Sequence, residues 1–280
     1  MGIIGARLTC VLTAVVLSAH GTQVATAAEQ ASVPATGSLG SGPEPVIGER
    51  FAFHGYWLGI PVGYGWIETK ERAQLDGCQV VHIEAHGYSN RLLSTFYPIT
   101  DVVHSFLDVD TLQPLRFEKH QQEGHYRADE VVTFDPTTLT ASYHSLLNHS
   151  TKQISLPDQF QDLISTFYWL RRQSLTPEST VRISMYTDEK IYDTLIRVGP
   201  VRDLELLKRG TFRCVIVEPE ASFKGLLVKR GRVWAYVTAD ARRLPVLIKA
   251  TTPWGPMTAV LDESSVLGDS VMSDNIHYVK

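Results

Sequence analysis

A hydrophobic period of two recurs along most of this chain and limits it to a β-rich fold. Between residues 78 and 88, Val81, Ile83 and Ala85 fall on one face and His82, Glu84 and His86 on the other, the pattern of a half-buried strand. Asp76-Gly77 just before it marks a tight hairpin turn. Runs of the same kind occupy 51–58, 64–72, 102–108, 115–121, 126–134 and 140–144. They resume at 181–186, 191–198, 211–218, 226–229, 232–238, 244–252 and 256–262. Short turns between consecutive strands predict an antiparallel meander.

One segment departs from that period. Phe160, Leu163, Ile164, Phe167 and Arg171 recur at helical spacing, which predicts a helix over 158–173 with Asp158 and Gln161 as a capping box. Trp169 lies opposite Phe160 and Phe167, so both sides of the helix carry large apolar groups. Such a helix is packed on two sides or sits within a curved sheet. The expected fold is therefore mainly β: a large curved antiparallel sheet, or a partly open β-barrel, with one main helix packed against it.

The N-terminus carries an address. Arg7 precedes an apolar run from Leu8 to Ala19, and Ala25-Thr26-Ala27 supplies small residues at a cleavage site. This is the layout of a secretory signal peptide, and the run is too short to cross a hydrocarbon core of about 30 Å as a helix. The expected organisation is a signal peptide over 1–27, a flexible Ala/Ser/Gly/Pro linker over 28–48, one β-rich domain over 49–263 and a loose polar tail over 264–280. Export to the periplasm or beyond is the expected location.

Composition sets further bounds. The formal net charge is -4 and 44% of residues are hydrophobic, enough for a sizeable core and contrary to a nucleic-acid partner. Charge is uneven. Residues 51–150 hold 6 Lys/Arg against 12 Asp/Glu, whereas 151–262 hold 17 against 12. The densest basic group is Lys229, Arg230, Arg232, Arg242 and Arg243. Arg242 and Arg243 can meet lipid head groups or an acidic partner; solvated turn tips, paired with acids of the first half, are the plainer reading. Cys78 and Cys214 permit one disulfide in an oxidising compartment, or stand as two buried thiols.

Catalytic spacings are absent from the sequence. It has no G-x-S-x-G elbow, no S-x-x-K with K-T-G, no H-E-x-x-H and no Gly-rich phosphate loop. Eight histidines lie from His54 to His149. His82 and His86 share a strand face, but four residues along a strand is about 13 Å, too far to chelate one ion. A metal site from histidines here would have to draw on different strands; surface or hydrogen-bonded histidines are the commoner reading. No cofactor motif and no catalytic or metal-ligating set is assigned.

Three blocks, in order, resemble a family of exported bacterial proteins called domain of unknown function 3108. The first runs from Ser105 to Asp108, through Pro114-Leu115-Arg116 and Tyr126, to Val131-Val132-Thr133-Phe134-Asp135. The second is Asp162 to Arg171, and the third spans Trp234 to Leu261 around Asp240-Ala241-Arg242-Arg243-Leu244-Pro245. The resemblance covers roughly residues 50–262; it implies an envelope location and a β-rich fold, and carries no activity. Six aromatics between Phe51 and Trp66, with a helix apolar on two sides, predict a cleft walled by Phe167 and Trp169. The expected function is a non-catalytic binding or assembly factor for a hydrophobic ligand, lipid or envelope lipoprotein. The alternative is an enzyme acting on cell-envelope glycan or peptidoglycan.

Overall fold

The computed structural model describes residues 40, 42–207, 209–219, 232–252 and 255–266. The expected signal peptide, most of the expected linker, the run at 226–229, Lys229 and Arg230, and nearly all of the expected tail lie outside the described residues. Among the described residues fourteen strands form one antiparallel sheet. The first arm comprises β1 (Arg50–Trp57), β2 (Ile60–Leu75), β3 (Cys78–Ser89), β4 (Ile99–Asp108), β5 (Pro114–Glu123), β6 (Tyr126–Asp135), β7 (Thr140–Ser145) and β8 (Thr151–Ser155). The second comprises β9 (Thr180–Thr187), β10 (Lys190–Leu206), β11 (Gly210–Pro219), β12 (Val233–Thr238), β13 (Pro245–Thr252) and β14 (Gly255–Asp262). Each arm is a meander, and the two join where β1 pairs with β14. The sheet is open: β8 and β9 are its two edges.

The expected alternation holds residue by residue. Val81, Ile83 and Ala85 are buried while His82, Glu84 and His86 stand half-buried on the outer face. The Asp76-Gly77 turn has positive φ at both positions, 50° and 86°, as a two-residue hairpin matching strand twist requires.

Among the described residues two α-helices interrupt the sheet: α1 (Arg91–Ser94), a single turn, and α2 (Leu163–Arg172) on the crossover between the arms. The second starts later than the sequence predicts. Asp162, not Asp158, is the N-cap, and its capping box is closed by Ser165. Gln161 is drawn instead into a parallel bridge with Met185 of β9, with Gln161 N donating to Ser184 O at 2.8 Å. Backbone pairing at the β9 edge thus claims the residues that would have formed the first turn.

Helix α2 fills the concave side of the sheet. Phe160, Ile164 and Tyr168 pack with Ile83, Val103, Phe117 and Phe134 of the first arm. Trp169 packs with Ile183, Val198, Val215 and Val217 of the second. Phe167 bridges to Phe51, with ring centroids 5.1 Å apart. Each such side chain, buried, contributes about 1.5–3 kcal/mol, and both apolar sides of the helix find a partner as their pattern demands.

Polar groups lock this plug in place. Ser105 Oγ donates to Asp162 Oδ2 at 2.6 Å, and Tyr168 Oη and Thr69 Oγ1 are 3.0 Å apart. At the other end Arg171 makes a bidentate pair with Glu49 at 2.9 and 3.0 Å, its guanidinium 4.6 Å over the Phe51 ring. The described end of the linker is laid against this helix terminus: Arg172 Nε donates to Gly40 O at 3.1 Å and Nη1 to Glu44 Oε1 at 3.1 Å. A Cβ at Gly42 would lie 2.1 Å from Arg171 O, so only glycine fits that approach.

The open seam is stapled by side chains. Lys152 of β8 pairs with Glu189 in the β9–β10 turn. Behind it, Lys119 Nζ lies 2.6 Å from Glu130 Oε1 and 3.7 Å from Asp188 Oδ1. Burial alone pushes the Lys119 ammonium down, but the two carboxylates outweigh it and hold it above its ordinary value.

Candidate functional site

The residues singled out from sequence go to structural duties. Phe167 and Trp169, the expected walls of a cleft, are spent on the packed interior just described. Arg243, the expected head-group residue, turns inward: its Nη1 donates to Arg171 O at 2.6 Å and to Gln173 O, capping the last carbonyls of α2. Arg242 is exposed and pairs with Asp240, two residues away, at 2.8 Å, rather than with an acid of the first half. The disulfide does not form. Cys78 is an exposed free thiol at the β2–β3 hairpin and Cys214 a buried one on β11, six strands apart in the sheet. Burial first, then Asp240 and Asp203, push the Cys214 thiol up to about 11, which makes it inert at neutral pH.

What the fold assembles instead lies on the outer face of β2–β6. Register pairs Tyr64 with Tyr88 and Trp66 with His86 across β2 and β3. It sets Glu84 opposite His104 and His82 opposite Phe106 across β3 and β4. Cross-strand pairs on one face bring side chains into contact, and here they stack. Trp66 lies 4.6 Å from His86, Tyr64 5.4 Å from Tyr88, and His82 4.5 Å from Phe106 at 7°. The Arg50 guanidinium also lies over the Trp66 ring, at 4.2 Å.

A chain of polar contacts threads these rings. Tyr88 Oη is 2.9 Å from His86 Nδ1, and His86 Nε2 meets Glu84 Oε1. Glu84 Oε2 lies 3.8 Å from His104 Nδ1, which is 3.0 Å from His82 Nε2. Burial pushes His82 down against the pull of Glu84 and Glu71. It pushes His104 down too, helped by His82. Both rings are therefore held neutral at pH 7. Glu84 is pushed up by burial, but its bond to His86 and the surrounding cations outweigh this and hold it below its ordinary value. Among the described residues, His82, Glu84 and His104 are the group whose donor atoms, all within 4.8 Å of one another, could hold a metal ion. A shallow groove on the same side, toward the open seam, is lined by Arg116, Thr133, His144 and Lys152.

The aromatic stack runs up to an apolar rim. By strand direction the β1–β2 turn, the β3–β4 connection and the β7–β8 turn share one end of the sheet; there Leu58 N donates to Pro256 O of β14 at 2.9 Å and Asn90 N to Val62 O of β2 at 2.8 Å. There Leu58 is 54% exposed, Ile60 53%, Leu92 65%, Phe96 68% and Leu147 55%. Large apolar groups left in solvent along one end of a sheet mark a contact surface.

The alternation placed His82, Glu84 and His86 on one face. The sequence left His104 unlinked to them, because that contact depends on the register across the β3–β4 connection and leaves no spacing motif.

This geometry defines a class: an open, antiparallel β-barrel-like sheet plugged by one helix, with a histidine–carboxylate face beneath an apolar rim. The chain belongs to the family described as protein of unknown function (DUF3108), which it matches over residues 52–262. It is also similar to a solved structure titled as a beta-barrel-like protein of domain of unknown function DUF1849 from Brucella abortus. That likeness has 9% identity and a TM-score of 0.48, covering 79% of this chain and 97% of the other. No curated protein matches the chain.

Proposed function

We propose that this protein is a non-catalytic binding factor of the bacterial cell envelope that holds acyl chains at its apolar rim. The observation that carries this reading is the exposure of Leu58, Ile60, Leu92 and Phe96 together at one end of the sheet. Leaving such groups in water is unfavourable, and the cost is offset when an apolar partner covers them. Each methylene covered contributes about 0.8 kcal/mol, so a contact of eight methylenes supplies about 6 kcal/mol with no specific polar bond. The interior offers no such surface at Phe167 and Trp169, because α2 occupies it. The signal-peptide layout of residues 1–27 supports an envelope location.

Flotation of the mature protein with neutral phosphatidylcholine vesicles tests the reading. The wild type is expected to float, and Leu92→Ser/Phe96→Ser to remain with the soluble fraction while keeping its fold. A free fatty acid and an acylated peptide, used as competitors, distinguish a lipid from a lipid-anchored protein as the source of the chain. A wild type that stays soluble, or a double variant that floats equally well, overturns the proposal.

A further inference from the structure

We propose that His82 and Glu84 of β3, with His104 of β4, form a binding site for a divalent transition-metal ion of the kind that prefers imidazole ligands. The argument begins with spacing. Metal–nitrogen bonds of about 2.0–2.1 Å set two ligands of one ion roughly 2.9–3.4 Å apart, for angles between square-planar and tetrahedral. His82 Nε2 and His104 Nδ1 face each other at 3.0 Å, so two ligands already stand at the required separation. Glu84 Oε2 lies 3.8 Å from His104 Nδ1, and a rotation of its side chain supplies the third donor.

The surroundings are those of a held site. The three residues stand on paired strands, with Glu84 directly opposite His104. Phe106 stacks flat on His82. Glu84 keeps His86 on its second oxygen, the outer partner that orients a ligating carboxylate. Side chains of His82, Glu84 and His104 are 15%, 20% and 22% exposed, which leaves an entry path from solvent and an open coordination position.

Two imidazoles and one carboxylate suit zinc, nickel, cobalt or copper(II). They do not suit calcium or magnesium, which take six or more oxygens. Each ring ligates in its neutral form. The hydrogen shared between His82 Nε2 and His104 Nδ1 moves to the far nitrogen of its own ring. On His82 that nitrogen is Nδ1, which faces Glu71 Oε1 at 3.9 Å.

The site lies below the rim and does not rest on acyl-chain binding, so vesicle flotation and metal binding fail independently. Calorimetric titration of the chelator-treated mature protein with Zn²⁺ at pH 7, repeated with Co²⁺ by visible absorption, tests it. One ion per chain is expected. His104→Gln should weaken binding by roughly 100-fold or more and Glu84→Gln by at least about tenfold, beyond or within the range that outer partners alone command. His144→Gln, whose ring stands near His149 on another part of the sheet, should bind as the wild type does. Should His104→Gln fail to fold, as judged by circular dichroism, Glu84→Gln decides alone. Absence of stoichiometric binding by the wild type, or equal affinity in Glu84→Gln, overturns the proposal.

Discussion

Lys119 carries a full charge into the interior, with 5% of its side chain exposed, and depends on Glu130 and Asp188 for it. Removing one partner of a buried ion pair strands the others at a cost of about 3–5 kcal/mol. Lys119→Met is expected to lose that much in urea denaturation; a loss under about 1 kcal/mol would contradict the role given to the pair. Asp162 is the opposite case. Burial, against hydrogen bonds from Ser105 and Ser165, pushes its carboxyl up to about 6. The folded state then binds a proton more readily than the unfolded chain between about pH 4 and 6, so stability contributed by this group falls as pH rises through that window. A shift of about two units costs about 3 kcal/mol at neutral pH. Asp162→Asn keeps an acceptor for the cap and removes the charge. Relative to that variant, the wild type should gain stability as pH falls from about 6 to 4, read by denaturation at both pH values. A difference that stays flat across the window would contradict this account.

At the scale of elements, adjacent arginines show how little a charge run reveals. Arg242 and Arg243 read alike in sequence, yet one pairs with Asp240 in solvent and the other caps α2. Arg243→Ala should cost about 2 kcal/mol, as charge-assisted bonds to the Arg171 and Gln173 carbonyls are lost. Arg242→Ala should change stability by less than about 0.5 kcal/mol, and chemical denaturation of both variants checks the contrast. Strands with one buried face were legible because alternation is a local property; Val81, Ile83 and Ala85 needed nothing else. Strand β8, Thr151–Ser155, is not legible in the sequence because an edge strand exposed almost throughout has no apolar face to alternate. The start of α2 was misplaced because Gln161 is claimed by β9, a tertiary contact. The histidine–carboxylate cluster was legible only in part, since His104 joins it through register.

At the scale of the whole molecule, the two arms meet at β1–β14 and are held across the open seam by α2 and by Lys152–Glu189. Because the helix fills the concave side, the proposed apolar partner is left the rim, where Leu92 and Phe96 stand in solvent. Hydrogen exchange with and without phosphatidylcholine vesicles tests this most directly, since it reports where the partner lies on the intact protein. Amides of residues 58–62 and 90–98 are predicted to slow on vesicle addition while those of 163–172 keep their rates. Slowing confined to 163–172, or no change at the rim, would contradict it.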